Sequence, residues 1–94
     1  MTLLTDVEIE QRLAAVGGWQ RGGEGSIVRE WTFADFAAAI AFVNRVAEAA
    51  EAADHHPDIL LHGWNKVRLT LSTHSEGGLT DSDFRLASRI EDLA

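Results

Sequence analysis

The sequence contains no cysteine, so the chain can form neither a disulfide nor a thiolate metal site, and it offers no cysteine nucleophile. Positive charge is also scarce. Eight Lys and Arg residues stand against fifteen Asp and Glu residues, for a formal net charge of −7. Such a chain is repelled by phosphate backbones and anionic lipid surfaces, so direct nucleic-acid binding is disfavoured. The absence of cysteine excludes zinc ribbons, disulfide scaffolds and thiol enzymes.

Long hydrophobic runs are missing as well. No apolar run approaches the ~20 residues needed to cross a bilayer. The first ten residues, MTLLTDVEIE, also lack the basic flank and small-residue cleavage site of a signal peptide. We therefore expect a cytoplasmic protein that does not bind membranes. A chain of 94 residues, 46% of them hydrophobic, has the length for one domain over residues 1–94 with a core of its own.

Helix caps, glycines and hydrophobic periodicity predict seven secondary-structure elements. Thr5 and Glu8 have the spacing of a capping box at the first helix, and Thr80 is placed to cap the last one. The long middle helix is rich in alanine and is followed by Pro57, which prevents it from continuing. Its apolar stripe consists of Phe36, Ile40, Val43 and Ala47. The predicted elements are helix 6–16, strands 19–21 and 26–33, helix 34–53, strands 58–62 and 66–73, and helix 81–93.

The order of these elements is α-β-β-α-β-β-α. Two ββα units favour antiparallel pairing, since each pair of strands is joined by a short glycine-containing turn. We therefore predict an α+β two-layer sandwich, with a four-stranded antiparallel sheet and three helices packed on one of its faces.

All four histidines lie within one stretch of twenty residues, from His55 to His74. Imidazole has an unperturbed pKa near ~6.5, so it can both give and take a proton around neutral pH. His55 and His56 lie at a corner between helix and strand, and His74 lies at a strand end, so the fold could bring them close together. His62 has no evident partner in the sequence and is interpreted as a surface residue.

The same residues also have structural interpretations, which the spacing leaves open. A histidine pair after a helix can simply end it, because imidazolium is favoured near the last carbonyls. Asp83 has the N3 position of the last helix cap, and Glu51 could be a solvated helix charge. A metal site is disfavoured, because adjacent residues in an extended segment point in opposite directions and no i, i+4 histidine pair exists.

The spacing of these residues resembles the signature of the pterin-4a-carbinolamine dehydratases. The matching positions are Glu51, His55-His56-Pro57, Trp64, His74 and Asp83. Segments 31–36, 72–74 and 77–80 are also similar to that family, so the resemblance covers nearly the whole chain. Ile59 and Ser82 stand where many members carry an aromatic residue and an arginine, while the histidine set is complete.

The resemblance implies a dehydratase that needs no cofactor and no metal. Such an enzyme removes water from 4a-hydroxytetrahydropterin to give quinonoid dihydropterin, in the recycling of the tetrahydropterin used by aromatic amino-acid hydroxylases. His55, His56 and His74 would then transfer protons. The resemblance further implies a set of substrate-binding or orienting residues, namely Glu51, Asp54, Pro57, Trp64, Thr73, Ser75, Glu76 and Asp83.

The resemblance also implies partners. Members of that family assemble as homodimers or homotetramers. In this chain either Trp31 or Trp64, together with the alanine-rich helix, could supply apolar surface for such contacts. Animal members also act as dimerisation cofactors for a homeodomain transcription factor, so a non-catalytic interaction module is the alternative function. Retention of three histidines favours catalysis over that alternative. A small histidine metalloprotein is a third hypothesis, which predicts stoichiometric zinc.

Overall fold

A computed structural model describes residues 2–94 and shows that side-chain caps set the starts of its α-helices. The Thr5 hydroxyl accepts from the Glu8 backbone N–H at 3.2 Å, and the Glu8 carboxylate accepts from the Thr5 N–H at 2.9 Å. Thr80 and Asp83 form the second predicted capping box. The middle helix starts two residues later than predicted, because the Asp35 carboxylate caps it at Ala38 N, 2.7 Å away. The α-helices are α1 (Asp6–Val16), α2 (Phe36–Ala53) and α3 (Asp81–Leu93).

Four strands form one antiparallel sheet in the order β1-β2-β4-β3. The strands are β1 (Gln20–Arg21), β2 (Ile27–Thr32), β3 (Asp58–His62) and β4 (Lys66–Leu71). The two central strands pair along their whole length, from Ile27 opposite Leu71 to Thr32 opposite Lys66. The predicted α+β fold and its element order are confirmed. No helix within residues 2–94 combines the length and the apolar character that a membrane span requires.

The helix side of the sheet carries the core. Val67, Leu69 and Leu71 alternate along β4 and are completely buried, while Arg68 between them is exposed. Trp31 on β2 is also buried, with its ring centroid 4.9 Å from that of Phe42. Trp31 is thus a core residue and not a candidate for contact with another copy.

The apolar face of α2 that packs on the sheet differs from the predicted stripe. Phe42 is completely buried against Trp31 and Phe33, whereas Phe36 and Ile40 are exposed. The buried positions of α2 are Ala39, Phe42, Val46, Ala49 and Ala50. α2 is apolar on two faces, and the face with three alanines packs inward because small side chains let the helix approach its neighbours closely. Phe36, Ile40 and Ala47 of the predicted stripe therefore form an outer apolar face, while Val43 is half-buried and packs against the core.

The predicted last strand ends earlier than residue 73. After β4 the chain makes an isolated bridge between Thr73 and Gly78, and His74–Glu76 form one turn of 3₁₀-helix between them. Gly25 of the first hairpin turn lies against this loop. A Cβ on Gly25 would come within 3.0 Å of the Gly78 Cα, and its φ of +69° also favours glycine.

Candidate active site

His55 is positioned by the way α2 ends. Asp54 adopts the left-handed conformation, with φ 50° and ψ 43°, and the His55 N–H donates back to the Ala50 carbonyl at 3.1 Å. A left-handed residue followed by this six-residue hydrogen bond is a Schellman-type helix end. Aspartate is among the few residues other than glycine that tolerate such a φ. The backbone of Asp54 therefore turns the chain so that His55 points back toward α3.

Asp83 receives the His55 side chain in the interior. Its carboxylate is 0% exposed, and its Oδ1 lies 2.6 Å from the His55 Nε2. Its Oδ2 accepts from the Thr73 hydroxyl at 2.8 Å and from the Thr80 backbone N–H at 2.9 Å. The end of α2, the end of β4 and the start of α3 meet at this one carboxylate.

The direction of the protons in this network follows from its donors and acceptors. The Thr73 hydroxyl has one proton, which it donates to Asp83, so the Thr80 hydroxyl donates in their mutual contact at 2.8 Å. If Asp83 is ionised, both of its oxygens accept, and the contact at Oδ1 then places a proton on the His55 Nε2. In its neutral form His55 then presents an unprotonated Nδ1. The His55 side chain remains 13% exposed, so it borders solvent.

His56 lies on the other side of the same corner. Its Nε2 contacts the Glu51 carboxylate one turn back on α2, and its side chain is 59% exposed. Opposite directions for His55 and His56 are expected of neighbours in an extended segment. Pro57 follows, half-buried, and leads into β3. Glu51 and His56 thus form an exposed pair next to the buried pair of His55 and Asp83.

The loop after β4 carries the remaining predicted residues. Thr73 is buried, and its hydroxyl belongs to the Asp83 network. His74, Ser75 and Glu76 are exposed on the 3₁₀ turn that follows directly. Since Thr73 contacts Asp83 and Asp83 contacts His55, His74 is one residue away from that network. The structure therefore brings the two histidine segments to the same end of the sheet.

Trp64 and His62 lie elsewhere. Trp64 is 61% exposed in the turn between β3 and β4, at the opposite end of the hairpin from Thr73. The six residues of β4 separate the two ends by ~20 Å. The structure does not bring Trp64 to the other predicted residues. His62 has a partner that the sequence did not indicate, because its Nε2 lies 2.7 Å from the Glu30 carboxylate on the open face of the sheet.

The bond from His62 lowers the pKa of the Glu30 carboxyl below its ordinary value, and the nearby Arg68 acts in the same direction. Glu30, His62 and Arg68 lie on β2, β3 and β4, on the face of the sheet away from the helices, so they are separate from the candidate site. Within residues 2–94, no three side chains of His, Asp or Glu converge in the manner of metal ligands.

Two parts of the site are not predicted from the sequence. Thr80 caps α3 as predicted, and its hydroxyl also donates to Thr73 inside the network. The capping pattern of Thr80 and Asp83 was the available signal, because a capping carboxylate still has a second oxygen to bind another group. The second missed part is a cavity beside His55 that is lined in part by Arg85 and Arg89 of α3.

Comparisons with known proteins identify the family of the chain. Residues 2–93 match the family model described as pterin 4 alpha carbinolamine dehydratase. A protein of Acidobacterium capsulatum, provisionally named pterin-4-alpha-carbinolamine dehydratase, is 52% identical over 93 residues, which are 99% of each chain. A protein of Thermomicrobium roseum with the same provisional name is 47% identical over 94 residues, covering 100% of this chain and 99% of its own.

Two solved structures are similar to this one. A protein of Brucella melitensis described as a transcriptional coactivator/pterin dehydratase has a TM-score of 0.93 and 38% identity, with 99% of each chain covered. A pterin dehydratase-like protein, described as a RuBisCO assembly factor in the alpha-carboxysome, has a TM-score of 0.70 and 25% identity, covering 83% of this chain and 90% of its own. The full-length match to the family model and the relatives near 50% identity lead to one conclusion. The chain belongs to the pterin-4a-carbinolamine dehydratase family.

Proposed function

We propose that this protein is a hydro-lyase that dehydrates 4a-hydroxytetrahydropterin to quinonoid dihydropterin. The observation that carries the proposal is the buried Asp83 carboxylate bound to His55 Nε2 at 2.6 Å, in a chain of this family. A fully buried carboxylate that orients a partly exposed imidazole is an arrangement suited to proton transfer. The product would return to the tetrahydropterin pool that aromatic amino-acid hydroxylases use.

The reaction needs two proton transfers and no redox step. The C4a–O bond breaks, the leaving hydroxyl takes up a proton and departs as water, and N5 loses its proton as the C4a=N5 double bond forms. A general acid and a general base are therefore sufficient, and imidazoles serve in both roles near neutral pH. Neither a covalent intermediate nor an added cofactor is required by this balance of atoms.

His55 is suited to the role of base in this scheme. With its Nε2 proton held by Asp83, the Nδ1 lone pair is available to accept the N5 proton, and the resulting imidazolium is stabilised by the buried carboxylate. Asp83 is then a positioning residue that acts through His55. Thr73 and Thr80 fix the carboxylate in turn through Oδ2.

The exposed histidines complete the scheme. His56 with Glu51, and His74 on the 3₁₀ turn, are the candidates to protonate the leaving hydroxyl. Asp54, Pro57, Ser75 and Glu76 flank them and would contact the pterin ring. Trp64 could contribute only from its own end of the hairpin, ~20 Å away.

The test is the decay of 4a-hydroxytetrahydropterin, followed by ultraviolet absorbance, with wild type and His55→Ala side by side. We expect wild type to accelerate the decay and His55→Ala to lose on the order of 10² to 10⁴ in rate. His62→Ala is the matched control, because it removes the same side chain from the open face of the sheet and should keep the full rate.

Two results would contradict the proposal. If the folded wild-type protein does not accelerate the decay, the proposed dehydratase function is refuted. Equal accelerated rates in wild type and folded His55→Ala would show that the protein is a dehydratase but that His55 takes no part in the reaction. Circular dichroism of each variant separates these results from loss of the fold.

A non-catalytic interaction module is the second candidate. It is favoured by the structural relative described as a RuBisCO assembly factor and by the outer apolar face of α2, where Phe36 and Ile40 are exposed. Exposed apolar patches of this kind are typical of protein contacts. This candidate predicts that wild type does not accelerate the decay and that Phe36→Asp abolishes binding to the partner.

We also propose that the protein is a homo-oligomer, with β3 as one contact. The strand order leaves β3 at an edge of the sheet, with Leu60 half-exposed. If two copies pair antiparallel about Leu60, the Asp58 carboxylate of one copy lies opposite the His62 imidazole of the other, within reach of a hydrogen bond. Sedimentation equilibrium should give a dimer or tetramer, and Leu60→Lys should shift it toward monomer. A monomeric wild type at micromolar concentration would refute this arrangement.

A further inference from the structure

A cavity of about 270 Å³ opens beside His55, between the end of α2 and the outer side of α3. Small-molecule sites usually occupy roughly 300–1,000 Å³, so this space suits one substituent of a ligand better than a complete second ligand. The lining residues are Ala53, His55, Ser82, Arg85, Leu86 and Arg89. The cavity therefore shares one wall with the candidate active site and extends away from it along α3.

Arg85 and Arg89 give this cavity its charge. They lie four residues apart on one face of α3, both are exposed, and neither has a carboxylate within ion-pair distance among residues 2–94. The arginines that do pair with carboxylates there are Arg12, Arg21, Arg29 and Arg68, and Arg45 of α2 is unpaired as well but does not line the cavity. In a chain with fifteen acidic residues, two unpaired arginines beside one cavity indicate an anion as the missing partner.

The spacing of the two arginines supports the same conclusion. Like charges four residues apart repel each other and destabilise a helix. An anion held between the two guanidinium groups would relieve that repulsion. Because each guanidinium presents a planar fork of N–H donors, two of them match the geometry and the double negative charge of a phosphate monoester.

The position of the cavity relative to His55 identifies where on a ligand this anion would be. Arg85 and Arg89 follow Asp83 by two and six residues, so they lie within ~10 Å of it along the helix axis. In a 4a-hydroxytetrahydropterin, the 6-substituent is attached to the carbon next to N5, the atom that gives its proton to the base. A pterin with N5 at His55 can therefore direct its 6-substituent into the cavity.

We propose that Arg85 and Arg89 form an anion subsite that binds a phosphate ester on the 6-substituent of the pterin. This inference rests on the proposed dehydratase function and narrows its substrate class to phosphorylated pterins. Ser82 adds a hydroxyl to the lining, and Ala53 and Leu86 contact the carbon atoms of the substituent. The subsite attracts one anionic group against the overall repulsion expected from a net charge of −7.

The test compares two stable oxidised pterins, 6-hydroxymethylpterin and its phosphate monoester, by isothermal titration of the full chain in 0.15 M salt. We expect the phosphate ester to bind about tenfold more tightly, the size expected for charge-assisted bonds at an exposed site. The double variant Arg85→Ala/Arg89→Ala should abolish this preference. Arg45→Ala is the matched control, because it removes an exposed arginine of α2 that does not line the cavity.

Inorganic phosphate distinguishes a substrate subsite from a site for the free ion. We expect it to compete with the phosphate ester and to leave binding of the unphosphorylated pterin unchanged. Equal affinities for the two pterins, or a preference that survives in the double variant, would overturn the proposal. Inorganic phosphate that binds as tightly as the pterin phosphate would overturn the link to the pterin.

The dehydratase assay keeps the two proposals separate. A wild type that dehydrates the unphosphorylated substrate but shows no preference for the phosphate ester would refute only the subsite. A wild type that dehydrates nothing, but prefers the phosphate ester through Arg85 and Arg89, would support the subsite and refute the catalytic function.

Discussion

Asp83→Asn is the most informative single change in this structure. The amide has the shape of the carboxylate, but one of its two acceptor positions becomes an NH₂ donor. If the amide oxygen keeps the bonds from Thr73 and Thr80, the NH₂ group faces the His55 Nε2. That nitrogen must then accept, so the proton of a neutral His55 moves to Nδ1. The substitution should therefore reverse the tautomer of His55 without removing a side chain.

The magnitudes follow from the three bonds to Asp83. Hydrogen bonds to a charged group contribute about 1.5–3 kcal/mol and neutral ones about 1 kcal/mol, so three weakened bonds cost a few kcal/mol. Relief from burying a charge offsets part of this, which leaves a net loss of about 1–3 kcal/mol. For a domain of this size that is a fall of roughly 5–20 °C in Tm. The rate should fall on the order of 10² to 10⁴, because Nδ1 no longer accepts a proton.

Three measurements on the purified variant check this reasoning. They are the dehydration rate, the thermal midpoint, and the ¹⁵N chemical shifts of His55, which report the tautomer directly. Asp81→Asn is the matched control, since Asp81 lies in the same helical turn but pairs with Arg12 at the surface. A folded Asp83→Asn protein with near wild-type rate, or one whose His55 keeps its proton on Nε2, would refute the assignment of Asp83 as positioning residue.

Three further predictions concern the network, the core and the first helix cap. Thr73→Val removes one of the two donors to the Asp83 Oδ2 and also the acceptor of the Thr80 hydroxyl, so urea denaturation should show a loss of about 1–3 kcal/mol; an unchanged midpoint would contradict the bonds described. Phe42→Ala empties a site that is completely buried against Trp31 and Phe33 and should cost about 3–5 kcal/mol in the same assay. The Thr5 backbone N–H, followed by its hydroxyl, lowers the pKa of Glu8, so stability from this carboxylate is present above its unfolded pKa and is lost as the pH falls through the lowered one. Glu8→Gln should therefore flatten the loss of stability as the pH falls from the ordinary glutamate pKa through the lowered one, and an unchanged pH dependence of stability would contradict this assignment.

Local signals in the sequence predicted the helices well. Thr5, Glu8 and Thr80 act within three residues of themselves, so the residues that form each cap can be identified without knowing the rest of the fold. The buried face of α2 was harder to predict, because the sequence has two apolar faces on this helix. Only the packing of Phe42 against Trp31 and Phe33 selects one of them.

The candidate site, like the helices, was predictable where the signal is local and unpredictable where it depends on packing. The histidine cluster and the family spacing are visible in the sequence, but the bond between His55 and Asp83 joins residues 28 positions apart. It depends on where α3 packs against α2, which no local pattern specifies. His62 and Glu30 are likewise neighbours only through the pairing of β3 and β2 with β4.

The Asp83 carboxylate is also the point where three separate segments of the chain are joined. Replacing the side chain of His55, Thr73 or Thr80 singly removes a hydrogen bond from a buried polar group, so each step away from this arrangement weakens the fold before any benefit can follow. A descendant released from catalysis could lose His56 or His74 from the surface freely, yet it would retain the Asp83 cluster unless several positions changed together. The buried pair therefore shows that the site can form, and retention of the exposed His56 and His74 beside it distinguishes an active enzyme from a descendant that has lost the activity.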